Sequence, residues 1–537
     1  MLIVAIPEGL PMTVAVSLAY SVLQMSEDDN VLVRDLDSVE VVGQITDLVL
    51  GKTGTMTTEQ MEVHSFFAQN HKVLNSRKNT FHNCELDEGI QRKIIESIVW
   101  NSSAYIEMSE NSFYVPEGQG TEVSLIKWLQ GAEEPVHEYM QQKSQDDVVL
   151  ATVPFSSKLK KSIIAIRHPN MHDTVRVYVK GAPEVVVPNC NFTYGEGESP
   201  EKMPMTNDDR AVIMQSFDEM TSLSMRGIAF SYSDMSVSQF EDLMGSMQGE
   251  IDDENEIANL EGNDQTFLAL VSLKDPLRSN IKKVIENANN SRINLILVTG
   301  DNLITSSAVA SDVGIFTKDE FKRICAGQSE GVAMDARQFA DAVGEVVIEE
   351  EQGEEGEEPI TTYRLQNQDE FNRIIQTLKV IGRARPEDKR RLIAGLKGMN
   401  AGVEDASQHR RVAVIGEGIN DVSAFRTADV SFALQSGTSI ARNNASMVLR
   451  TDDFDSAMRA VMWGRNLFMN VQRFLQFQIT CNLSVLIVVL VSYITMTESV
   501  LNPVQLIYIN LIMDILGALA LASTRPTTDI AQYTAGQ

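Results

Sequence analysis

Three short polar turns in the sequence each follow an apolar run that is typical of a buried strand. The runs and their turns are 45–50 before GKTGT (51–55), 293–298 before TGDN (299–302) and 412–415 before GEGIND (416–421). Ligands of parallel α/β sheets bind where the strands end, so we expect the three turns to meet at one site. Their ammonium, hydroxyl, amide and carboxylate groups suit a phosphoryl group held together with Mg²⁺. The candidate residues are Lys52, Thr53, Thr299, Asp301, Glu417, Asn420 and Asp421.

The GKT of the first turn also ends a P-loop, which would imply a different kind of phosphate site. The P-loop pattern requires a glycine five residues before the Gly-Lys pair, and Thr46 occupies that position here. Gly43 is displaced from it. The P-loop interpretation is therefore excluded.

Three apolar stretches indicate membrane helices. No charged residue occurs in 474–497, 504–522 contains one acid (Asp514), and 1–25 is apolar apart from IPEGLP. Runs of this length can cross a hydrocarbon core of about 30 Å. Arg465 and Arg473 precede the second stretch and Arg525 follows the third, whereas the connection between them carries only Glu498. This asymmetry predicts a hairpin with both outer ends in the cytoplasm, and hence a multi-pass membrane protein whose bulk is cytoplasmic.

A carboxylate between two prolines interrupts the first apolar stretch. A kinked helix with a snorkelling acid is one interpretation, but an acid at the centre of a membrane helix costs roughly 2.5–3.5 kcal/mol and usually serves a function. The prolines free nearby carbonyls, and Asn510 and Asp514 share one face of the last helix because they are four residues apart. Such a set of oxygens suits Ca²⁺. The predicted ligands are the side chains of Glu8, Asn510 and Asp514 and the backbone carbonyls of Ile3, Val4 and Ile6.

Composition excludes several classes of protein. The 537 residues carry a formal net charge of −29, which excludes nucleic-acid binding through a basic surface, so we expect no nucleic-acid partner. Hydrophobic residues make up 43% and charged residues 22%, which excludes wholesale disorder. The four cysteines are far apart, so neither a disulfide framework nor a cysteine zinc site is expected.

Eight motifs, taken in order, resemble those of one family, the P-type cation-transporting ATPases, and within it the plasma-membrane-type calcium pumps. They are PEGLP (7–11), KTGT (52–55), KGAPE (180–184), DPLR (275–278), TGDN (299–302), RPEDK (385–389), GEGIND (416–421) and NLIMDILGALALAS (510–523). Each motif alone is weak, whereas the ordered set along nearly the whole chain is specific. The resemblance implies Mg²⁺, ATP as substrate and Ca²⁺ as the transported ion. It also implies a lipid bilayer, either the plasma membrane or an internal calcium-store membrane.

The resemblance also implies a domain plan. An α/β phosphorylation domain with a haloacid-dehalogenase-like parallel sheet would comprise 26–60 and 274–460, interrupted by an α+β nucleotide-binding domain at 61–273. Transmembrane helices would occupy 1–25 (the fourth of the family), 474–497 and 503–523, followed by a tail at 524–537.

Further site residues follow from the family pattern. Gly300 and Lys389 join the phosphoryl-transfer set. The nucleotide site would place adenine against Phe155, with Glu122, Lys160, Lys180 and Gly181 nearby and Arg226 towards the phosphates. An aromatic face with cations suits a stacked purine and its phosphates.

Two departures from the family pattern affect the chemistry. Gly51 stands where the family has the aspartate that accepts the phosphoryl group, so the nucleophile is lost. Asp47 lies four residues upstream, about 13 Å away on a strand, and cannot replace it. Glu417 stands where the family has an aspartate, which should weaken Mg²⁺ binding. We therefore expect a P-type Ca²⁺-transporting ATPase by family whose autophosphorylation is impaired.

Two hypotheses remain. In the first, the chain is the core of a calcium pump, a truncated copy that lacks the actuator domain and cannot complete a transport cycle alone. In the second, it is a non-catalytic, nucleotide-binding regulator that partners a full-length pump. A soluble phosphatase of the same sheet type is excluded because it explains neither the apolar hairpin nor PEGLP.

Overall fold

The computed structural model describes most of the chain in two compact units. The described residues are 10–69, 71–74, 86–108, 114–144, 148–156, 158–168, 171, 173–195, 201–222, 225–246, 260–262, 264–328, 331–351, 360–401, 403, 405, 409–496, 502, 504–505, 508, 512 and 516–527. One unit is Met1–Thr57 with Leu277–Gln537, and the other is Thr58–Pro276. The predicted nucleotide-binding domain, 61–273, falls within the second unit.

The first unit contains an eight-stranded sheet. In spatial order its strands are Val31–Val33, Met447–Leu449, Val430–Leu434, Val412–Gly416, Asp47–Leu50, Asn294–Val298, Val380–Gly382 and Ala333–Asp335. All neighbours pair in parallel except Val31–Val33, which is antiparallel to Met447–Leu449. Alternate residues of the central strands enter two separate cores, one on each face of the sheet. Continuous apolar strands are expected where both faces are buried.

Helices connect these strands. They are Leu10–Glu27, Asp37–Val42, Ile281–Asn290, Leu303–Val313, Lys318–Cys325, Ala336–Val343, Gln368–Ile374, Pro386–Gly398, Val422–Thr427, Ser439–Asn444, Phe454–Met496 and Ala518–Ala522. A 3₁₀ turn at Ile419–Asp421 and a hairpin of Val346–Glu351 with Ile360–Leu365 complete the described elements.

The local sequence explains where the helix after TGDN begins and ends. The Asn302 side chain accepts a hydrogen bond from the backbone N–H of Thr305 at 2.7 Å, which caps the helix Leu303–Val313. Gly314 then ends it with a left-handed φ of +92°. The helix that follows TGDN therefore spans Leu303–Val313.

The second unit is built on a nine-stranded, mostly antiparallel sheet. Seven strands follow in the spatial order Lys202–Pro204, Phe192–Tyr194, Thr266–Lys274, Arg226–Ser236, Thr174–Gly181, Lys161–Arg167 and Val149–Val153. Glu62–Ala68 pairs with Thr266–Lys274 and with His71–Leu74, and a separate hairpin joins Tyr105–Met108 to Tyr114–Glu117. Its helices are Glu88–Trp100, Gly120–Gly131, Val136–Lys143, Pro183–Asn189, Asn207–Ser222 and Val237–Ser246.

One helix in the described part of the chain is long and apolar enough to cross a membrane. This span covers Phe454–Ser492, and an 18-residue window within it has a mean hydropathy of 2.1. It contains most of the predicted segment 474–497, while much of 503–523 lies outside the described residues. A single such helix is weak support for a membrane protein, so the multi-pass topology stays a prediction.

The structure revises the interpretation of Arg465 as a charge that flanks the membrane. Its side chain is buried and donates hydrogen bonds to the carbonyls of Gly43 at 3.2 Å and Ser291 at 3.1 Å. Gly43 and Gly464 allow this close crossing, since a Cβ on Gly43 would lie 2.4 Å from the carbonyl carbon of Gly464. Arg465 therefore links the long helix to the C-terminal ends of the helices Asp37–Val42 and Ile281–Asn290.

Candidate functional site

The three predicted turns line one cavity at the carboxyl edge of the parallel sheet. Asp47–Leu50 lies between Asn294–Val298 and Val412–Gly416, so the turns that follow these neighbouring strands meet. The cavity has a volume of about 330 Å³. It is lined by Gly51, Lys52, Thr53, Thr55, Val298, Thr299, Gly300, Ala384, Arg385, Pro386, Lys389, Gly416, Glu417, Asn420 and Asp421.

Two ion pairs order the charges around this cavity. The Lys52 ammonium contacts the carboxylate of Asp301, which is the one predicted residue of the set that is not part of the lining. Lys389 reaches in from the helix Pro386–Gly398, and its Nζ lies 2.7 Å from Asp421 Oδ1 and 3.1 Å from the carbonyl oxygen of Ile415. Each lysine is thus held by a neighbouring carboxylate.

Asp421 is the most completely engaged acid of the cavity. Its second oxygen, Oδ2, accepts the backbone N–H groups of Glu417 at 3.0 Å and Gly418 at 3.2 Å. Burial by itself would raise the pKa of Asp421, but the Lys389 ammonium and these N–H donors outweigh burial, so the net pKa is lowered. Asp421 is therefore charged at neutral pH.

Gly51 has room for a side chain that it does not carry. A Cβ at this position would meet a single atom within 4 Å, Thr55 Oγ1 at 4.0 Å. Asp47, the other acid of this strand, is fully buried and accepts hydrogen bonds from Arg410, Asn294 and Thr46 at the opposite end of the strand. Position 51 is therefore open space, and the other acid of the strand does not fill it.

Glu417 contacts the turn in a way that the motif does not reveal. Its Oε2 lies 1.7 Å from where a Cβ on Gly54 would be, and Gly54 has a φ of +69°. Both the space and the backbone therefore require glycine at position 54. Arg278 also holds this turn, because its guanidinium donates to the Gly54 carbonyl at 2.6 and 3.1 Å. The DPLR motif was the only sequence signal for Arg278.

Lys180 and Glu122 form a buried pair in the second unit. Lys180 Nζ lies 2.5 Å from Glu122 Oε1, and the two residues are 7% and 9% exposed. Glu122 Oε2 also accepts the backbone N–H of Ser103 at 2.8 Å and its hydroxyl at 2.5 Å. Burial opposes the charge of Glu122, yet Lys180 and the Ser103 donors outweigh it and lower the pKa of Glu122. Burial lowers the pKa of Lys180.

Lys143 belongs to the same cluster, although the sequence analysis missed it. Its ammonium donates to the carbonyl of Ser102, and burial together with the charge of Lys180 lowers the pKa of Lys143. The residue lies at the end of the helix Val136–Lys143 and belongs to no motif. No signal in the sequence could have found it.

The other predicted nucleotide-site residues are Gly181, Lys160, Phe155 and Arg226. A Cβ on Gly181 would lie 2.6 Å from the carbonyl oxygen of Lys160, so glycine permits that close approach. The Lys160 ammonium lies 3.4 Å from Glu184. Phe155 is 56% exposed, as a stacking surface for a ligand must be. Arg226 is exposed at the start of its strand, three residues before Ala229, which pairs with Gly181.

Comparisons with known proteins show which family the chain resembles. Residues 90–280 match the family model of the P-type ATPase cytoplasmic domain N. Calcium-transporting ATPase 10, plasma membrane-type, of Arabidopsis thaliana is 30% identical over 98% of this chain and 44% of its own length. Plasma membrane calcium-transporting ATPases 3 and 4 of Homo sapiens are 31% and 32% identical over 98% of this chain and 40% and 39% of their lengths. Over nearly its whole length the chain is therefore similar to plasma-membrane-type calcium-transporting ATPases. It spans about two fifths of the length of these plasma-membrane-type relatives.

The predicted calcium ligands cannot be placed. Glu8, Asn510, Asp514 and the carbonyls of Ile3, Val4 and Ile6 all lie outside the described residues. The calcium site stays a prediction.

The predicted Mg²⁺ ligands line the cavity, but they do not form a ready metal site. Thr53, Glu417 and Asp421 are all present, yet both oxygens of Asp421 already have partners. In the described part of the chain, no group of three or more His, Cys, Asp or Glu residues could hold a metal ion. Mg²⁺ requires near-octahedral oxygen ligands, and glycine at position 51 supplies no side-chain oxygen. The side chains as arranged do not fit a tightly held Mg²⁺ ion.

Proposed function

We propose that this P-type ATPase chain forms the core of an ATP-driven Ca²⁺ pump that keeps its ATP and Ca²⁺ contacts but is impaired in autophosphorylation. The observation that carries the proposal is the cavity in which Lys52, Thr299, Lys389 and Asp421 converge on Gly51. These groups can orient and neutralise a phosphoryl group, whereas glycine offers no oxygen to accept it.

Nucleotide binding is supported by the second unit. The exposed ring of Phe155 offers a face for a purine, and Lys160 and Arg226 offer cations for phosphates at the surface. The buried Lys180–Glu122 pair stabilises the adjacent end of the strand Thr174–Gly181. We infer that ATP binds here.

Calcium transport and membrane location are inferred from the relatives. Their names describe plasma-membrane-type calcium-transporting ATPases, and the apolar helix Phe454–Ser492 is long enough to span a bilayer. We infer a multi-pass protein of the plasma membrane or of a calcium-store membrane, with the two large sheets on its cytoplasmic side. Its domains would be the phosphorylation, nucleotide-binding and membrane parts that the sequence predicts.

Phosphorylation from labelled ATP tests the proposal. The full chain, incubated with γ-labelled ATP and Ca²⁺, should yield no acid-stable, hydroxylamine-labile phosphoprotein. Gly51→Asp should create such a label, while Gly51→Asn, which has the same size without a nucleophile, should not. A label on the unsubstituted chain would overturn the impairment.

A non-catalytic regulator is the second candidate, favoured by the same glycine together with the intact Lys180–Glu122 pair. Such a protein would bind nucleotide and a full-length pump without turning over. Adding the full chain to a purified full-length calcium pump should then change the ATPase rate of that pump. Lys180→Ala should weaken the effect. If neither the unsubstituted chain nor the Lys180→Ala variant changes the ATPase rate of the pump, this candidate is excluded.

A further inference from the structure

A larger cavity, of about 840 Å³, lies within the unit Thr58–Pro276. It is bounded by the segment 59–63, the end of the hairpin strand Tyr114–Glu117 and the helix Gly120–Gly131. None of the predicted nucleotide-site residues, all of which the structure describes, is part of its lining. The cavity is therefore separate from the predicted nucleotide site.

One face of the helix Gly120–Gly131 forms a wall of this cavity. The helical residues in the lining are Gly120, Val123, Ser124, Lys127, Trp128 and Gly131. At about 100° per residue, they centre roughly 170° around the helix from Glu122, which pairs with Lys180. The cavity and the buried pair thus lie on opposite sides of one helix.

The floor of the cavity is apolar. Met61, Val123 and Trp128 pack against the hydrophobic core of the unit and stay partly or fully exposed to the cavity only through their outer surface. The indole of Trp128 contacts Phe66, with the two ring centroids 5.6 Å apart. A ligand that covers these side chains removes apolar surface from water. The face of a tryptophan ring is also the aromatic surface that attracts cations most strongly.

The exposed part of the lining carries a net negative charge. Glu59, Glu62 and Glu117 are exposed, and Lys127 is the one basic residue among the lining residues. The Tyr105 hydroxyl donates a hydrogen bond to Glu117 Oε2 at 3.2 Å. Three carboxylates against one ammonium group attract cations and repel phosphate groups. The charge of the lining therefore favours a cation and disfavours a nucleotide.

The size and the lining together define a class of ligand. The volume lies in the upper part of the range of about 300–1,000 Å³ that small-molecule sites span, so a bare metal ion does not fill it. Among the described residues, no group of three or more His, Cys, Asp or Glu could hold a metal ion. The carboxylates suit a positive charge, whereas the floor suits an apolar group.

We propose that this cavity binds a small organic cation in which an ammonium group is joined to an apolar or aromatic body. The ammonium group lies among Glu59, Glu62 and Glu117. The body lies on Trp128 and the apolar side chains beside it. The proposed function involves other residues, so either can hold without the other.

Equilibrium dialysis of the full chain in detergent with labelled tryptamine tests the inference, with protein-free detergent as the blank. Tryptamine is a cation at neutral pH and should bind saturably. Indole-3-ethanol has the same aromatic body without the charge, and methylammonium has the charge without the body. Each should compete at least about tenfold more weakly than unlabelled tryptamine. Absence of saturable tryptamine binding, or equal competition by either compound, would overturn the inference.

Filling the cavity tests where tryptamine binds. A Cβ on Gly131 would meet nothing within 4 Å, so a leucine side chain has open space there. Gly131→Leu should weaken tryptamine binding by at least about tenfold without lowering the thermal unfolding temperature. Gly245→Leu is the matched control, because Gly245 has the same open space and lies near the end of the helix Val237–Ser246. Unchanged binding in Gly131→Leu, or equal weakening in Gly245→Leu, would contradict the proposal.

Charge substitutions give a test with opposite signs. Glu62→Gln and Glu117→Gln should each weaken tryptamine binding by about fivefold, because each removes an attracting charge. Lys127→Gln should strengthen binding by a similar factor, because it removes a repelling charge. Glu241→Gln, at an exposed position of the helix Val237–Ser246, is the control and should have no effect. Equal weakening by Glu241→Gln, or weaker binding in Lys127→Gln, would contradict the proposal.

Competition with ATP separates this cavity from the predicted nucleotide site. Unlabelled ATP should leave tryptamine binding unchanged, since the two ligands would occupy opposite sides of the helix Gly120–Gly131. Displacement of tryptamine by ATP would place it in the nucleotide site and overturn the inference. A chain that binds tryptamine but not ATP would support this binding site and count against the proposed function alone.

Discussion

The cavity around Gly51 and the Lys180–Glu122 cluster differ at their central positions. In the cluster, the buried ammonium and carboxylate are both present, and each has partners. In the cavity, the surrounding charges are in place, but position 51 is open space. The arrangement does not depend on a side chain at position 51, because strand ends and ion pairs such as Lys389–Asp421 position the cavity.

The largest effect is expected from breaking the buried pair. Lys180→Ala leaves the Glu122 carboxylate buried without its cation, and such a loss costs about 3–5 kcal/mol of unfolding free energy. Lys160→Ala is the control, because it breaks an exposed pair with Glu184 that contributes about 0–1 kcal/mol. Denaturant unfolding of the full chain measures both; equal losses would show that the cluster is no more important than a surface pair.

Acid should remove the contribution of Glu122. Because its pKa is lowered from the ordinary 4.5, the stability that its carboxylate supplies is present above pH 4.5 and is lost as the pH falls through the lowered value. Glu122→Gln should therefore cost about 1.5–3 kcal/mol at neutral pH, as expected for hydrogen bonds to a charged group. The difference from the unsubstituted chain should shrink as acid is added. A difference that stays constant with pH would contradict the charged pair.

Within the cavity, Gly54→Ala should be clearly destabilising. The left-handed φ alone costs about 1–2 kcal/mol for a residue with a Cβ, and the contact with Glu417 adds to it. Glu417→Asp withdraws the carboxylate by one methylene, so the double variant should recover the part due to contact and not the part due to φ. Thermal unfolding of the two single variants and the double variant separates these contributions.

Gly51→Ala should have the smallest effect and the opposite sign. Its Cβ would have open space, so alanine should stabilise the chain by about 0.4–1 kcal/mol by restricting the unfolded state. The same unfolding measurement serves as the test. A loss as large as that of Gly54→Ala would show that the space at position 51 is not available to a side chain.

Local patterns were sufficient to predict the convergence of the three turns. Apolar runs that end in polar turns indicate parallel strands, and parallel strands of one sheet end at the same edge. The cap of Asn302 on its helix is equally local, because the contacting groups are three residues apart. Features of this kind depend on residues that are close in the sequence, so the sequence is sufficient to predict them.

Contacts between distant segments could not be predicted. Glu417 meets Gly54, Lys143 meets Ser102, and Arg465 meets Gly43 only after the chain has folded. None of these pairs has a sequence spacing that signals contact. Motif and charge patterns indicated a metal ligand at Glu417 and a charge flanking the membrane at Arg465. They did not indicate the long-range contacts that these two residues make in the folded chain.

The sequence by itself determined the family resemblance, the order of the strands and turns, and the presence of glycine at position 51, because each depends only on which residue follows which. The tertiary structure decided how the remaining charges are shared. Lys389 neutralises Asp421, Lys52 pairs with Asp301, and Glu417 rests on Gly54, since folding brought together groups that the chain holds far apart. Electrostatic energy depends on distances in space, which the order of residues does not specify.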